Sequence, residues 1–514
     1  STKIENYDVT LSKPKNGHQI NYKHSIAAFG SNAVESSFRV VCLYGKFDAE
    51  SLINTFKEIG SAKHALILLD YALTPDQRRC LARKTKSDTS EKFFGVIDRV
   101  VLMHLASHYS ETLINRMLMS VITPYTYYQP YLIGAVNSMP PELFIGRKEE
   151  LFKIESPTGV NIVYGGRQLG KSALLRMAKT HINNDENGNR AVFVDVKGLD
   201  YKEAARKISQ TMVDDKILEN NFETDSWTDL ARAIKKRLAD DENKIPYLLL
   251  LIDEADVFIA SCKPDYRPFD ALKDIQSVGN GRFKFVVAGL RNVVRFNKEV
   301  LNNNSVLAHL SALTVTPFKF MEAKELLEIP LSYLGLRFRE KEALVSMILA
   351  TTNYFPGLIQ LYCYKLVEAM KKDYAGYNES NTPPYDVQEK HIKKTLAEDG
   401  FQKDIREKFM ITLKVDEDCY YHIIAILMAY LYHQEGSRNG YTPVDILQIG
   451  GEFGISKITK LSVENVKALM EELRELNVLR LTADNGYLFT RYSFFQMMGN
   501  TEHLEDDIMQ YMES

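Results

Sequence analysis

The sequence predicts an α/β chain centred on a parallel β-sheet. A small α/β module precedes the sheet, a helical region follows it, and three helices with a hairpin close the chain. Three observations carry this prediction. Residues 161–179 read NIVYGGRQLGKSALLRMAK, a short apolar strand, a glycine-rich turn and a helical pattern in succession. Residues 247–254 read YLLLLIDE, an apolar strand buried on both faces that ends in two acids. Between residues 38 and 316, short apolar runs alternate with amphipathic helical patterns, the arrangement that builds parallel sheets.

Composition bounds the possibilities. The chain has 514 residues, enough for roughly three domains. Apolar residues make up 45% and charged residues 25%, the mixture of an ordinary globular protein. The net charge of −3 gives no global pull toward DNA or membranes. Five cysteines without a CxxC pair argue against a disulfide framework or a cysteine metal cluster, so a reducing cytoplasm is expected. No apolar run is long enough to span a membrane, and the N-terminus lacks the pattern of a signal peptide. The chain opens on Ser1 rather than Met, as a trimmed or processed chain does.

Residues 1–36 are polar and weakly periodic, and a flexible arm is expected there. Residues 37–123 carry three short strands, at 40–44, 65–69 and 93–97, with helices at 49–59, after Thr74-Pro75, and at 99–121. Asp70 and Asp98 close two of those strands and read as solvated loop ends. Residues 124–141, with PYTYYQPY and Met139-Pro140-Pro141, form a linker whose tyrosines are packing anchors.

The core is expected at residues 142–318. GGRQLGKS fits the GxxxxGK[ST] pattern in its required setting, after a strand and before a helix. Glycines let the chain curl so that backbone amides of Gly165, Gly166, Arg167, Gln168, Leu169, Gly170, Lys171, Ser172 and Ala173 can cradle phosphate oxygens. The helix that follows adds the positive end of its dipole. Lys171 is expected to reach the outer phosphates and Ser172 to ligate magnesium. Asp253 would hold the metal through water, and Glu254 would orient or deprotonate the attacking water. ATP and Mg2+ are thus the expected cofactors. The letters Asp253-Glu254-Ala255-Asp256 are those of a helicase motif, but no second helicase domain is legible. A strand at 283–288 leads to Gly289-Leu290-Arg291-Asn292, where Asn292, with Arg291 as the alternate, would lie between the acids and the terminal phosphate.

A helical lid is expected over residues 319–400, broken at Tyr354-Phe355-Pro356-Gly357, with a linker at 373–390. Residues 401–514 read as a winged helix: helices at 419–433, after Thr442-Pro443 and after Ser462, then strands flanking Asp484-Asn485-Gly486. The third helix carries Glu464, Glu471, Glu472 and Glu475 against Lys467 and Arg474. That balance favours packing on protein over DNA. Lys457, Lys460, Arg480 and Arg491 keep a DNA reading open.

Phe144-Ile145-Gly146-Arg147-Lys148-Glu149-Glu150-Leu151 resembles the box that precedes the phosphate loop in AAA+ and STAND ATPases, the branch of origin-recognition initiators and NLR-like switches. The resemblance covers about residues 142–498. It implies that Phe144, Ile145 and Arg147 contact the adenine and anchor the lid, and that Pro356-Gly357 is the lid signature. The stretch Gly357-Leu358-Ile359-Gln360-Leu361 lacks the lid arginine of initiators, which favours a slow switch over fast cyclic hydrolysis. No C-terminal repeat array is present. The resemblance implies a switch in which ATP holds lid and winged helix against the core until a signal releases them, with a homo-oligomer or protein partner as output. Many such proteins serve in bacterial antiviral defence. The alternatives are a DNA-acting AAA+ ATPase and a nucleotide-binding scaffold without turnover.

Overall fold

A computed structural model describes residues 3–10, 37–45, 65–87, 94–108, 144–184, 187–240, 244–279, 281–290, 310–372, 385–397, 399–414, 418–436 and 439–512, with shorter pieces between. The chain divides into two compact units, Ser1–Gly146 with Phe318–Gln402, and Arg147–Pro317 with Lys403–Ser514.

In the first unit, strands β1 (Lys3–Thr10), β2 (Ser37–Tyr44), β3 (Ala65–Leu69) and β4 (Phe94–Ile97) form one sheet in that order. β1 runs antiparallel to β2, while β2, β3 and β4 are parallel. Part of the expected flexible arm is therefore an edge strand. Its partner is supplied from a distant part of the chain, in Lys3↔Tyr44 to Thr10↔Ser37 register, so no local pattern announces it. Val41, Leu43, Ile67, Leu69 and Val96 make the core of this module.

Asp98 corrects the reading of a solvated loop end. Its carboxylate is fully buried. It accepts from the backbone amides of Leu73 (2.8 Å) and Val101 (2.9 Å) and pairs with the Arg78 guanidinium. It thereby caps helix Arg99–Ser107 and ties down the loop before helix Pro75–Ser87. The rest of the expected helix to residue 121, and most of the 124–141 linker, lie outside the described residues. Tyr131 does serve as a packing anchor: it is buried, and its hydroxyl donates to the Leu327 carbonyl at 2.8 Å.

The same unit contains helices Phe320–Tyr333, Lys341–Thr352 and Pro356–Lys372. The break between the last two is where expected: Asn353 and Tyr354 take left-handed backbone, and Pro356 restarts the helix at a position that needs no amide donor. Two short strands were not anticipated. β10 (Leu336–Phe338) pairs in parallel with β11 (Tyr385–Val387), so the end of the expected 373–390 linker is ordered pairing. Three-residue strands leave too little periodicity to read.

In the second unit, five parallel strands lie in the order β6-β7-β8-β5-β9. They are β5 (Ile162–Tyr164), β6 (Arg190–Asp195), β7 (Leu248–Asp253), β8 (Phe283–Gly289) and β9 (Ala312–Thr314). β7 and β8 are buried along their whole length, as strands covered on both faces must be. Helices Tyr201–Asp214, Trp227–Leu238 and Arg267–Val278 supply much of that cover through Ile208, Ile234, Phe269 and Leu272. The strand order places β5 between β8 and β9, so the loop after β5 opens at the carboxyl edge of the sheet, where such folds bind ligands.

The C-terminal part of this unit contains helices Tyr420–Glu435, Pro443–Glu452 and Val463–Glu475, then the antiparallel pair β12 (Leu479–Leu481) and β13 (Tyr487–Phe489). Thr442 and Asp445 form a reciprocal capping box, and Ser462 caps the third helix through the Asn465 amide. Asn477, in left-handed backbone, ends that helix.

Candidate functional site

The loop after β5 is built by its glycines. Gly165 (φ 151°) and Gly170 (φ 90°) occupy backbone that side chains rarely adopt, and Gln168 is left-handed (φ 63°). A Cβ at Gly165 would lie 2.4 Å from the Val315 carbonyl oxygen, and one at Gly166 would lie 2.7 Å from the Leu476 carbonyl oxygen. Neither position has room for a side chain. The helix Lys171–Asn184 begins where the loop ends.

Lys171 is buried, and its ammonium donates to the carbonyls of Gly165 and Gly166, both at 2.9 Å. Burial pushes its pKa down, while the carboxylates of Asp253, Glu254 and Asp256 oppose that shift. Asp253 ends β7 with only 2% of its surface exposed. Burial pushes its pKa up, and a hydrogen bond from Ser172 with the charge of Lys171 pulls it back. Ser172 thus lies on the side of Asp253 where a hydroxyl and a carboxylate could serve one hard cation. Glu254 follows in left-handed backbone (φ 54°), its amide donating to the Asp253 carboxylate at 3.0 Å. The loop lysine therefore faces Asp253 at the end of β7 and Glu254 just beyond it.

Asn292, expected between the acids and the terminal phosphate, lies against Asp256. Its side-chain amide donates to the Asp256 backbone carbonyl (3.0 Å), and its backbone amide donates to the Asp256 carboxylate (2.8 Å). Asp256 also accepts from the Leu290 amide at 2.7 Å. The last acid of the discounted tetrapeptide thus ties the end of β7 to the end of β8. Its spacing after Glu254 was the available signal. Arg291, the alternate, lies outside the described residues.

Arg147 takes left-handed backbone (φ 58°) at the start of helix Lys148–Glu155. Its guanidinium donates to the carbonyls of Leu169 (3.3 Å) and Thr316 and to Glu150 (3.0 Å). It braces the phosphate-type loop from outside. At the other end of that helix, the buried Lys284 ammonium donates to the carbonyls of Lys153, Ile154 and Ser156. Phe144, Ile145 and Pro356 belong to the first unit; the two former are half-buried in the segment before Gly146, and Pro356 is buried at its helix start.

A second set of residues was not anticipated. The end of helix Val463–Glu475 lies against the same loop. Tyr164 donates to Glu475 (3.3 Å), and the Asn477 side chain donates to the Val315 carbonyl (3.3 Å). Glu472, nearly buried, accepts two bonds from the Arg295 guanidinium (2.9 and 3.2 Å) and one from the Tyr421 hydroxyl (2.5 Å). Three of the four acids of this helix, Glu471, Glu472 and Glu475, are engaged by protein partners. Arg295 and Glu472 lie far apart in sequence, beyond the reach of local patterns.

A glycine-built loop at the carboxyl edge of a parallel sheet, with its lysine facing the acids at the end of β7, two strands away across β8, defines a P-loop fold. The chain shares this fold with the ORC2 protein of Aeropyrum pernix, solved as ADPNP–ADP complexes, at a TM-score of 0.50 and 15% identity over 74% of this chain and 98% of that one. The Walker-type ATPase of Pyrococcus abyssi is similar at a TM-score of 0.49 and 16% identity, over 69% of this chain and 96% of that one. No protein-family model and no curated protein matches the sequence.

Proposed function

We propose that the protein is an ATP-binding, Mg2+-dependent and slowly hydrolysing switch of the STAND type. Its C-terminal winged helix reports the state of the phosphate loop. The observation that carries this reading is the meeting of two elements at one loop: the phosphate-type loop with Lys171, and the helix end Glu472–Asn477 seated on it. The Aeropyrum protein of the same fold holds ADPNP and ADP. In this reading Lys171 and the loop amides bind phosphates, Ser172 and Asp253 hold magnesium, and Glu254 takes the proton of the attacking water. Magnesium supplies charge neutralisation at the phosphates.

The electrostatics of the docked helix set the direction of the switch. A helix C-terminus carries negative dipole charge, and Glu475 adds to it, while the charge of Glu472 is met by Arg295. That end is poorly matched to a phosphate-bearing loop. Triphosphate binding therefore favours its release, the reverse of a switch in which ATP holds the winged helix on the core. The released surface then serves a second copy or a protein partner. A role in bacterial defence rests on the family resemblance alone.

Native mass measurement with ATP, with ADP and with duplex DNA tests the reading. Assembly with ATP and without DNA is the expected result. A shift that needs DNA would instead support the DNA-acting alternative.

A further inference from the structure

Arg167 sits at the tip of the loop, and its Nε is buried without a hydrogen-bond partner. Among the described residues it makes no ion pair either. Its neighbour in charge is another cation, Lys171, whose pKa it helps to depress. Acids are close: Asp253, Glu254 and Asp256 face Lys171, and Glu475 lies on the other side of the loop, against Tyr164. None of them pairs with Arg167. Arg167 thus brings a second cation and a buried, unpartnered donor to the loop, an arrangement that an anion bound there would complete. Lys171 has turned to the loop carbonyls for its bonds, and Arg167 has nothing to turn to.

We infer that Arg167 is the residue that distinguishes a nucleoside triphosphate from a diphosphate at this site. This rests on the nucleotide reading above and adds a specificity role to it. The loop amides would serve phosphates common to both ligands, and Lys171 would reach the outer ones. Each further phosphate brings about one to two negative charges, and the partnerless guanidinium answers the extra charge of the third. A planar fork of donors suits phosphate oxygens, so lysine is an incomplete replacement.

The test uses the full chain with Mg2+ and compares wild type, Arg167→Gln and Arg167→Lys. ATP and ADP affinities are measured separately by calorimetry, and melting is followed with and without each nucleotide. Arg167→Gln is expected to weaken ATP by roughly tenfold or more, the scale of a lost charged hydrogen bond, while ADP changes less than about threefold. Arg167→Lys recovers part of the ATP affinity. Without nucleotide, Arg167→Gln melts no lower than wild type, because no contact is lost and a like-charge repulsion is relieved. Equal weakening of ATP and ADP, or no weakening, overturns the inference while leaving the nucleotide reading intact. Wild type that binds neither nucleotide overturns both.

Discussion

Replacing Glu472 with glutamine tests whether the helix end is latched to the core by charge. Glu472 is only 6% exposed and accepts both Arg295 bonds and the Tyr421 hydroxyl. Glutamine keeps the shape and one acceptor oxygen. It loses the charge and one guanidinium bond, and its own amide protons then face cationic Arg295. A bond to a charged group contributes about 1.5–3 kcal/mol. Arg295 is one-third exposed and can rehydrate, which discounts that figure to about 1–2 kcal/mol. That corresponds to roughly a 5- to 30-fold rise in the undocked population. Hydrogen exchange read over Gly165–Lys171 and Glu472–Val478 should speed by that factor, while exchange in β7 and β8 stays unchanged. By linkage, ATP affinity rises by up to the same factor. Arg295→Ala should give a similar effect, and the double variant should cost less than the sum. Unchanged loop exchange in Glu472→Gln, or a uniform rise across the sheet, would refute the latch.

Two further predictions follow from buried polar groups. Burial, with Lys414 and Arg406 nearby, pushes the pKa of His422 down to about 3, and its Nδ1 lies 2.7 Å from the Tyr511 hydroxyl. The unfolded chain takes up that proton near pH 6.5 while the folded chain refuses it. Stability is therefore full above that pH and falls between about 6.5 and 3 by about 1.4 kcal/mol per pH unit. His422→Phe should flatten this slope in urea unfolding, and an unchanged slope would contradict the assignment. Asp256→Ala strands the amides of Leu290 and Asn292 and should destabilise the core by about 2–4 kcal/mol, with Asp256→Asn recovering part. Equal stability of Asp256→Ala and wild type in the same assay would contradict the bridge.

The sheet and its glycine-rich loop were legible because their signals are local. The loop glycines, Lys171 and Ser172 fall within eight residues, and the apolar run of β7 announces its own burial and its terminal acids. Helix starts were legible for the same reason: Thr442 with Asp445, and Ser462, satisfy amides three residues away. What was missed depends on distant partners. β1 looked like a loose arm because an isolated strand has no stability until β2 pairs with it. The bond from Asn292 to the Asp256 carbonyl was missed because that partner is backbone and invisible to side-chain reasoning. The acidic face of helix Val463–Glu475 signalled protein packing correctly, but not that the surface it packs on is the phosphate loop.

The most direct measurement of the central claim is calorimetric ATP binding by wild type, Lys171→Ala and Glu254→Gln, paired with phosphate release. Wild type should bind and slowly release phosphate, Lys171→Ala should lose binding by at least about a hundredfold, and Glu254→Gln should bind normally with turnover reduced by roughly two orders of magnitude. ATP binding by Lys171→Ala at wild-type affinity would contradict the convergence of loop and acids on one nucleotide.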